Sequence, residues 1–225
     1  MRKVLLAIAL SAMVLSLSRM AAAQAGAAQA STRSLDDQML QAVQKGSTTA
    51  VEQLLGKGAS TEARGQGGFT GLIAASAMGR IEMVKLLLDK GAHVDVRDER
   101  GDTALNYALM TANIEIVKLL LNKGANVNIA ENDGLTPLML SVVSGSPELV
   151  NLLLANGANT ESSDKHGFTS LMAASGGGFL QMVKSLLDKG ARIDAKSDDG
   201  TTVLALAVKN GKTEAATLLR EKGAK

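Results

Sequence analysis

Across its 225 residues the sequence has no cysteine and no tryptophan, with only one tyrosine, three phenylalanines and two prolines. Without cysteine there is no disulfide framework, no thiolate nucleophile and no cysteine-ligated metal, so stability must come from packing. The two histidines, His93 and His166, stand far apart and cannot form a helical His-His zinc pair. A compact domain usually builds its core around several large rings. A chain rich in Leu, Val and Ala with almost no rings points instead to many thin, similar layers. Hydrophobic residues make up 46% of the chain, which sets aside disorder as the default.

The first thirty residues differ from everything after them. "MRKVLLAIALSAMVLSLSRMAAAQAGAAQA" opens with Arg2 and Lys3, runs apolar from Val4 to Ser18 and ends in small residues. That is the layout of a secretory signal peptide over residues 1–23, followed by a linker over 24–31. Cleavage fits after Ala23 or after Ala25. The competing reading is an uncleaved anchor, but Arg19 interrupts the run short of the roughly 20 apolar residues a spanning helix needs. The expectation is a periplasmic or secreted protein with no stable membrane anchor after cleavage. Arg2, Lys3 and Arg19 are three of the 24 basic residues, so 21 would remain against 22 acidic residues. No concentrated basic face is left for nucleic acid.

The rest of the chain repeats itself. "GFTGLIAASAMG" at 68–79 returns as "GFTSLMAASGGG" at 167–178. Gly68, Gly101, Gly134, Gly167 and Gly200 stand 33 apart, as do Gly58, Gly91, Gly124, Gly157, Gly190 and Gly223, each of these six followed by Ala. A third column, Gly46, Gly79, Gly145, Gly178 and Gly211, is broken at Ala112. One period held in three registers identifies a repeat protein. Thr70, Thr103, Thr136, Thr169 and Thr202 precede a short helical stretch whose free N–H groups they can cap. Pro137 follows Thr136 where a first-turn proline loses no needed bond. A second helical stretch places Ile81, Val84, Leu87 and Leu88 at helical spacing and ends at Gly91. The polar, β-branched remainder "HVDVRDERGD" suits an extended turn into the next unit.

Helix, reversal, helix and projecting turn in 33 residues resembles the ankyrin repeat over residues 32–225. The resemblance implies an all-α solenoid of about six stacked repeats: 32–64, 65–97, 98–130, 131–163, 164–196 and 197–225. The family's T-P-L-H-x-A stretch reads here TGLIAA, TALNYA, TPLMLS, TSLMAA and TVLALA. Ile73, Asn106, Met139, Met172 and Ala205 replace its histidine, which puts the family's inter-turn hydrogen bonds in doubt but not the fold. In the first unit Leu35 stands at the turn glycine and Asp37 at the capping threonine. Divergent ends fit capping repeats whose outer faces meet water. Lys85, Lys90, Lys118, Lys123, Lys184 and Lys189 read as a solvated outer face.

No catalytic or cofactor motif emerges. "SGGGF" at 175–179 lacks the Lys-Ser/Thr ending of a phosphate loop and reads as a loosened helix end. The acidic turns "DVRDERGD" and "DAKSDDG" fail the calcium-loop spacing, with Ala195 and Ser197 at the first two ligand places before Gly200. The resemblance therefore implies a non-enzymatic module that binds a protein partner through a concave side built from turn tips and first helices. A bacterial periplasmic enzyme, restrained or protected, is one such partner; a concealed small-ligand or catalytic pocket is the alternative. The residue after each turn glycine gives the candidate contact stripe. Phe69, Leu135 and Phe168 are its apolar members, with Met78, Met110, His166, Arg100 and Asp102 beside them. The competing reading is that the rings pack on the adjacent repeat.

Overall fold

The computed structural model describes residues 34–225. The expected signal peptide (1–23) and linker (24–31) lie outside the described residues. Among the described residues twelve α-helices form six consecutive pairs: α1 Leu35–Lys45 with α2 Thr48–Gly56, α3 Gly71–Ala77 with α4 Ile81–Asp89, α5 Ala104–Met110 with α6 Ile114–Asn122, α7 Pro137–Ser144 with α8 Pro147–Ala155, α9 Ser170–Gly177 with α10 Leu180–Asp188, and α11 Val203–Lys209 with α12 Thr213–Glu221. From α3 onward the first helix of each pair starts 33 residues after the last, so the glycine period is the helix period. The described residues contain no strand. Isolated antiparallel bridges, Ser163 with Thr169 and Lys196 with Thr202, pinch the connecting segments into short hairpin fingers.

The five threonines do cap. Each hydroxyl accepts the backbone N–H three residues on, at Ile73, Asn106, Met139, Met172 and Ala205, over 3.1–3.4 Å. Removing such a cap typically costs about 1 kcal/mol. The first unit departs from the expectation at Asp37. Ser34 is the cap and accepts from the Asp37 N–H at 3.1 Å. Asp37 itself lies inside α1, which begins three residues earlier than the period requires. In the third repeat Gly124 follows α6 at φ +84° with open space around it, so the left-handed turn alone demands glycine there. The break in the third column has a visible consequence: Ala112 adopts φ +52°, the one non-glycine with positive φ among the described residues.

The chain divides into two compact units, the boundary falling between Tyr107 and Ala108 inside α5. In the first unit, Met39, Val43, Leu72, Val84 and Leu87 are essentially sealed from water. Arg80 donates to the carbonyls of Val43 and Gln44, satisfying the exposed end of α1 from the next repeat. In the second unit, Leu120, Leu149, Leu153, Met182, Leu186 and Leu219 form the interior. Each such leucine contributes roughly 2 kcal/mol of burial.

Neighbouring fingers are tied by side chains that accept backbone N–H groups 31 residues away. Glu62 holds His93 in the first unit, and Asn128 and Glu161 hold Asn159 and Arg192 in the second, all at 2.8–2.9 Å. Backbone bonds add to these: Glu99 N–H to Gly67, Lys165 N–H to Asp133 and Asp198 N–H to His166, each at 3.0 Å. The turn glycines permit this approach. A Cβ on Gly167 would stand 2.9 Å from the Asp198 nitrogen, and one on Gly68 would stand 3.0 Å from the Glu99 nitrogen. Of the recurring lysines, five are exposed and Lys85 is half-buried. Their ion pairs, such as Lys118–Glu148 at 2.9 Å and Lys90–Glu52 at 2.8 Å, sit in solvent and add little stability. No helix among the described residues is long and apolar enough to cross a membrane.

Candidate functional site

One aspartate organises the finger of the third repeat. Asp98 Oδ1 accepts the N–H groups of Arg100 and Asp102, both at 2.9 Å, while Oδ2 accepts the Tyr107 hydroxyl at 2.8 Å. The fifth repeat repeats the first half of this: Asp164 Oδ1 accepts from His166 at 2.8 Å and Phe168 at 2.9 Å. Repeated turns thus place the residue after the turn glycine in a fixed position, and its identity decides what it meets.

Leu135 and Phe168 are half-buried in the second unit, each leaving part of its apolar surface in water. His166 is exposed beside Phe168 in the same turn, and Lys165 next to it is exposed and paired with Asp133 at 2.6 Å. The Asp133 hydrogen bond and charge hold the Lys165 ammonium above its ordinary pKa. Met110 is half-buried at the end of α5. The second unit therefore brings His166 and Phe168 into one turn; Leu135 occupies the same place one repeat earlier.

The first unit treats the column differently. Phe69 is half-buried, and its ring lies tilted at 52° against Tyr107 with centroids 5.2 Å apart. For Phe69 the packing alternative therefore applies: the ring leans on the next repeat. Asp102 is a larger departure, being only 1% exposed, so its carboxylate is not a surface contact. Its Oδ1 accepts the Asn106 amide at 3.1 Å, and its Oδ2 faces the Arg100 guanidinium at 3.2 Å. Burial pushes the Asp102 carboxyl up, partly offset by the Asn106 amide and the Arg100 charge. Burial, reinforced by Asp98, also pushes the Tyr107 hydroxyl above its ordinary value, so it stays a neutral donor. Arg100 is exposed, and Met78 is half-buried at the end of α3.

Asn106 answers the question of the missing histidine. Its Oδ1 accepts the Thr103 hydroxyl at 3.1 Å, so the third repeat keeps a side-chain network at that place. Ile73, Met139 and Met172 fill the same place with buried apolar side chains. The repeat pattern by itself does not display this network of Asp98, Asp102, Thr103, Asn106 and Tyr107. The chain's only tyrosine, nine residues after an aspartate in the Asp98–Asp164 column, was the available clue.

The triple glycine is neither a phosphate loop nor a loosened end. A Cβ on Gly176 would meet Leu206 at 2.9 Å, and one on Gly177 would meet the Phe179 ring at 2.5 Å. Gly178 takes φ +73° as the cap of α9. Each glycine answers a close neighbour or a left-handed turn. Among the described residues no group of three or more His, Cys, Asp or Glu is placed to hold a metal ion. At Asp199, bonds from Ser197 and Thr201 lower the carboxyl to about 2, keeping an exposed finger tip ionised.

A family model described as ankyrin repeats (3 copies) matches residues 39–131, 93–164 and 138–225. No curated protein matches the chain.

Proposed function

The chain belongs to the ankyrin repeat family, and on that footing we propose that it is an exported module that binds a protein partner through its turn tips and first helices. Repeats of this kind generally mediate protein–protein interaction. The observation that carries the reading to particular residues is the half-buried state of Leu135 and Phe168, beside exposed His166, on a frame of fixed turns. Residues held by a rigid backbone and left partly apolar lose little entropy when a partner covers them. Rings near the middle of an interface tend to be anchors worth about 2 kcal/mol. In this reading Phe69 and Asp102 belong to the scaffold of the first unit, and Met110, in the second, to the rim of the contact surface. A periplasmic enzyme, restrained or protected, is the partner class proposed by analogy at the level of the fold, while the layout of residues 1–23 supports only the export step.

The test begins with recovery of what the exported protein retains from a periplasmic extract. A stoichiometric protein supports the proposal; repeated recovery of a small molecule alone supports a concealed pocket instead. With the partner in hand, Phe168→Ser should weaken binding roughly 30-fold, the equivalent of about 2 kcal/mol. Its thermal midpoint should barely move. Unchanged affinity would remove this column as the binding face.

A further inference from the structure

The apolar surface that the second unit leaves in water does not stop at Leu135 and Phe168. Leu140 lies one turn beyond the Thr136 cap, and Val143 follows a turn later on α7. Ala173 repeats the place of Leu140 on α9, which packs beside α7. All five side chains are half-buried. No Asp, Glu, Lys or Arg stands between Asp133 and Glu148, or between Lys165 and Lys184. In the first unit α3 offers nothing comparable, because all seven of its residues are buried.

Charge decides what such a surface can accept. The fingers of the second unit end in loops closed the same way: the N–H groups of Glu131, Asp164 and Ser197 donate to the carbonyls of Leu135, Phe168 and Thr201 over 3.0–3.1 Å. These three loops hold five acids, Glu131, Asp133, Asp164, Asp198 and Asp199, against one base, Lys165, a net charge of −4. Elsewhere the unit, Ala108–Lys225, has seven acids and eleven bases, so it is neutral as a whole with its negative charge gathered at the loops. Asp133, Asp198 and Asp199 are exposed, and bonds from Ser197 and Thr201 keep Asp199 ionised. The corresponding loops of the first unit differ. Residues 65–69 carry no charge, and in 98–102 Asp98 and Asp102 are buried, leaving exposed Glu99 and Arg100 to cancel.

We propose that the open face of the second unit takes an extended segment of a partner protein in which large apolar side chains alternate with Lys or Arg. This rests on reading Leu135 and Phe168 as contacts, and it names the chemistry of what they touch. Successive side chains of an extended chain point to opposite sides, so alternate apolar groups can cover the half-buried face while the long basic ones reach the loop carboxylates. Three loops in consecutive repeats, about 10 Å apart, span about 20 Å, which an extended chain crosses in about six residues. Acidic segments and nucleic acid meet the same loops with the wrong sign.

The experiment is fluorescence anisotropy of the full chain with two labelled hexapeptides, Leu alternating with Lys and Leu alternating with Glu, at protein concentrations up to about 1 mM. The basic peptide should bind at least tenfold more tightly. Raising salt from about 0.01 to about 0.15 M shortens the screening length from about 30 to about 8 Å and should weaken it several-fold. Asp133→Asn with Asp198→Asn should also weaken it several-fold at an unchanged melting midpoint, whereas Asp188→Asn with Glu221→Gln, outside the loops, should leave it as it was. A third peptide, with Ser in place of Leu, should lose at least tenfold. Equal binding of the basic and acidic peptides, no binding of either, or equal losses in the two double variants would overturn the proposal. If the charge effects appear but Phe168→Ser changes nothing, the fault lies instead with the reading of that column as the contact face.

Discussion

The fingers of the third and fifth repeats follow the same backbone and fill it with opposite chemistry. In both, an aspartate accepts the N–H groups two and four residues on, Asp98 in one and Asp164 in the other. In the third repeat the places that follow hold Asp102, Asn106 and Tyr107, a buried polar network. In the fifth they hold Phe168, Met172 and Ala173, with the ring partly in water and Met172 sealed. The turn is specified by one carboxylate and one glycine, so the remaining positions are free to serve structure in one repeat and surface in another.

If that division of labour holds, Asp98→Ala should be the most damaging change. It removes three hydrogen bonds to a buried carboxylate, that of the Tyr107 hydroxyl among them, an expected loss of about 3 kcal/mol or more. Asp164→Ala, losing two backbone bonds, should cost about half as much, and chemical denaturation of the two variants side by side measures the gap. Equal losses would mean the Tyr107 bond adds nothing. Next in size is Gly167→Ala, expected to cost about 2–3 kcal/mol because the new methyl meets the Asp198 backbone in addition to requiring positive φ. In the third repeat Gly124→Ala meets open space, so only the left-handed turn resists and about 1 kcal/mol is expected. Denaturation midpoints that rank the other way would undo the close-approach argument.

A smaller effect, of opposite sign, is expected where the repeats differ at the end of the first helix. The fifth has Gly178 at φ +73°, the third Ala112 at φ +52°. Ala112→Gly should stabilise by up to about 1 kcal/mol by relieving the backbone, read as a raised thermal midpoint.

The smallest expected effect is on pH dependence. Asp102 has a folded pKa raised by burial, so between its unfolded and folded values the native state holds more protons than the unfolded one. Its contribution makes stability fall as pH rises through that window and level off above it. Asp199, lowered to about 2, acts in the reverse sense, losing stability as pH falls from the ordinary carboxylate range toward that value. Midpoints measured from pH 2 to 7 should therefore lose their downward component on the alkaline side in Asp102→Asn, and lose part of the acid-side decline in Asp199→Asn. An Asp102→Asn profile parallel to the parent's would assign the titration to another group.

Much of the architecture was legible because it depends on local rules repeated many times. A threonine before an apolar stretch caps it, and a glycine after one ends it, whatever lies elsewhere. Where the reading went astray, the cause was a neighbour that column logic does not display. Asp37 occupies the capping register, yet Ser34 was free to cap an earlier turn. Phe69 and Phe168 share a register, but only the first has a tyrosine in the following repeat to lean on. Asp102 reads as a surface contact because its column mixes apolar and polar residues, and the Asn106 amide that draws it inward lies on the next helix. The candidate binding column was thus visible as a position, while the use of each member was not.

The ties between fingers and helix ends carry one more consequence. The cross-repeat bonds of Arg64, Arg80, Glu62, Asn128 and Glu161 join residues 29 to 37 positions apart. No such bond has to wait for distant parts of the chain to find each other. Low contact order of this kind favours rapid folding that can start at any well-packed helix pair and spread outward one repeat at a time. During synthesis each repeat can then dock as soon as its successor has emerged.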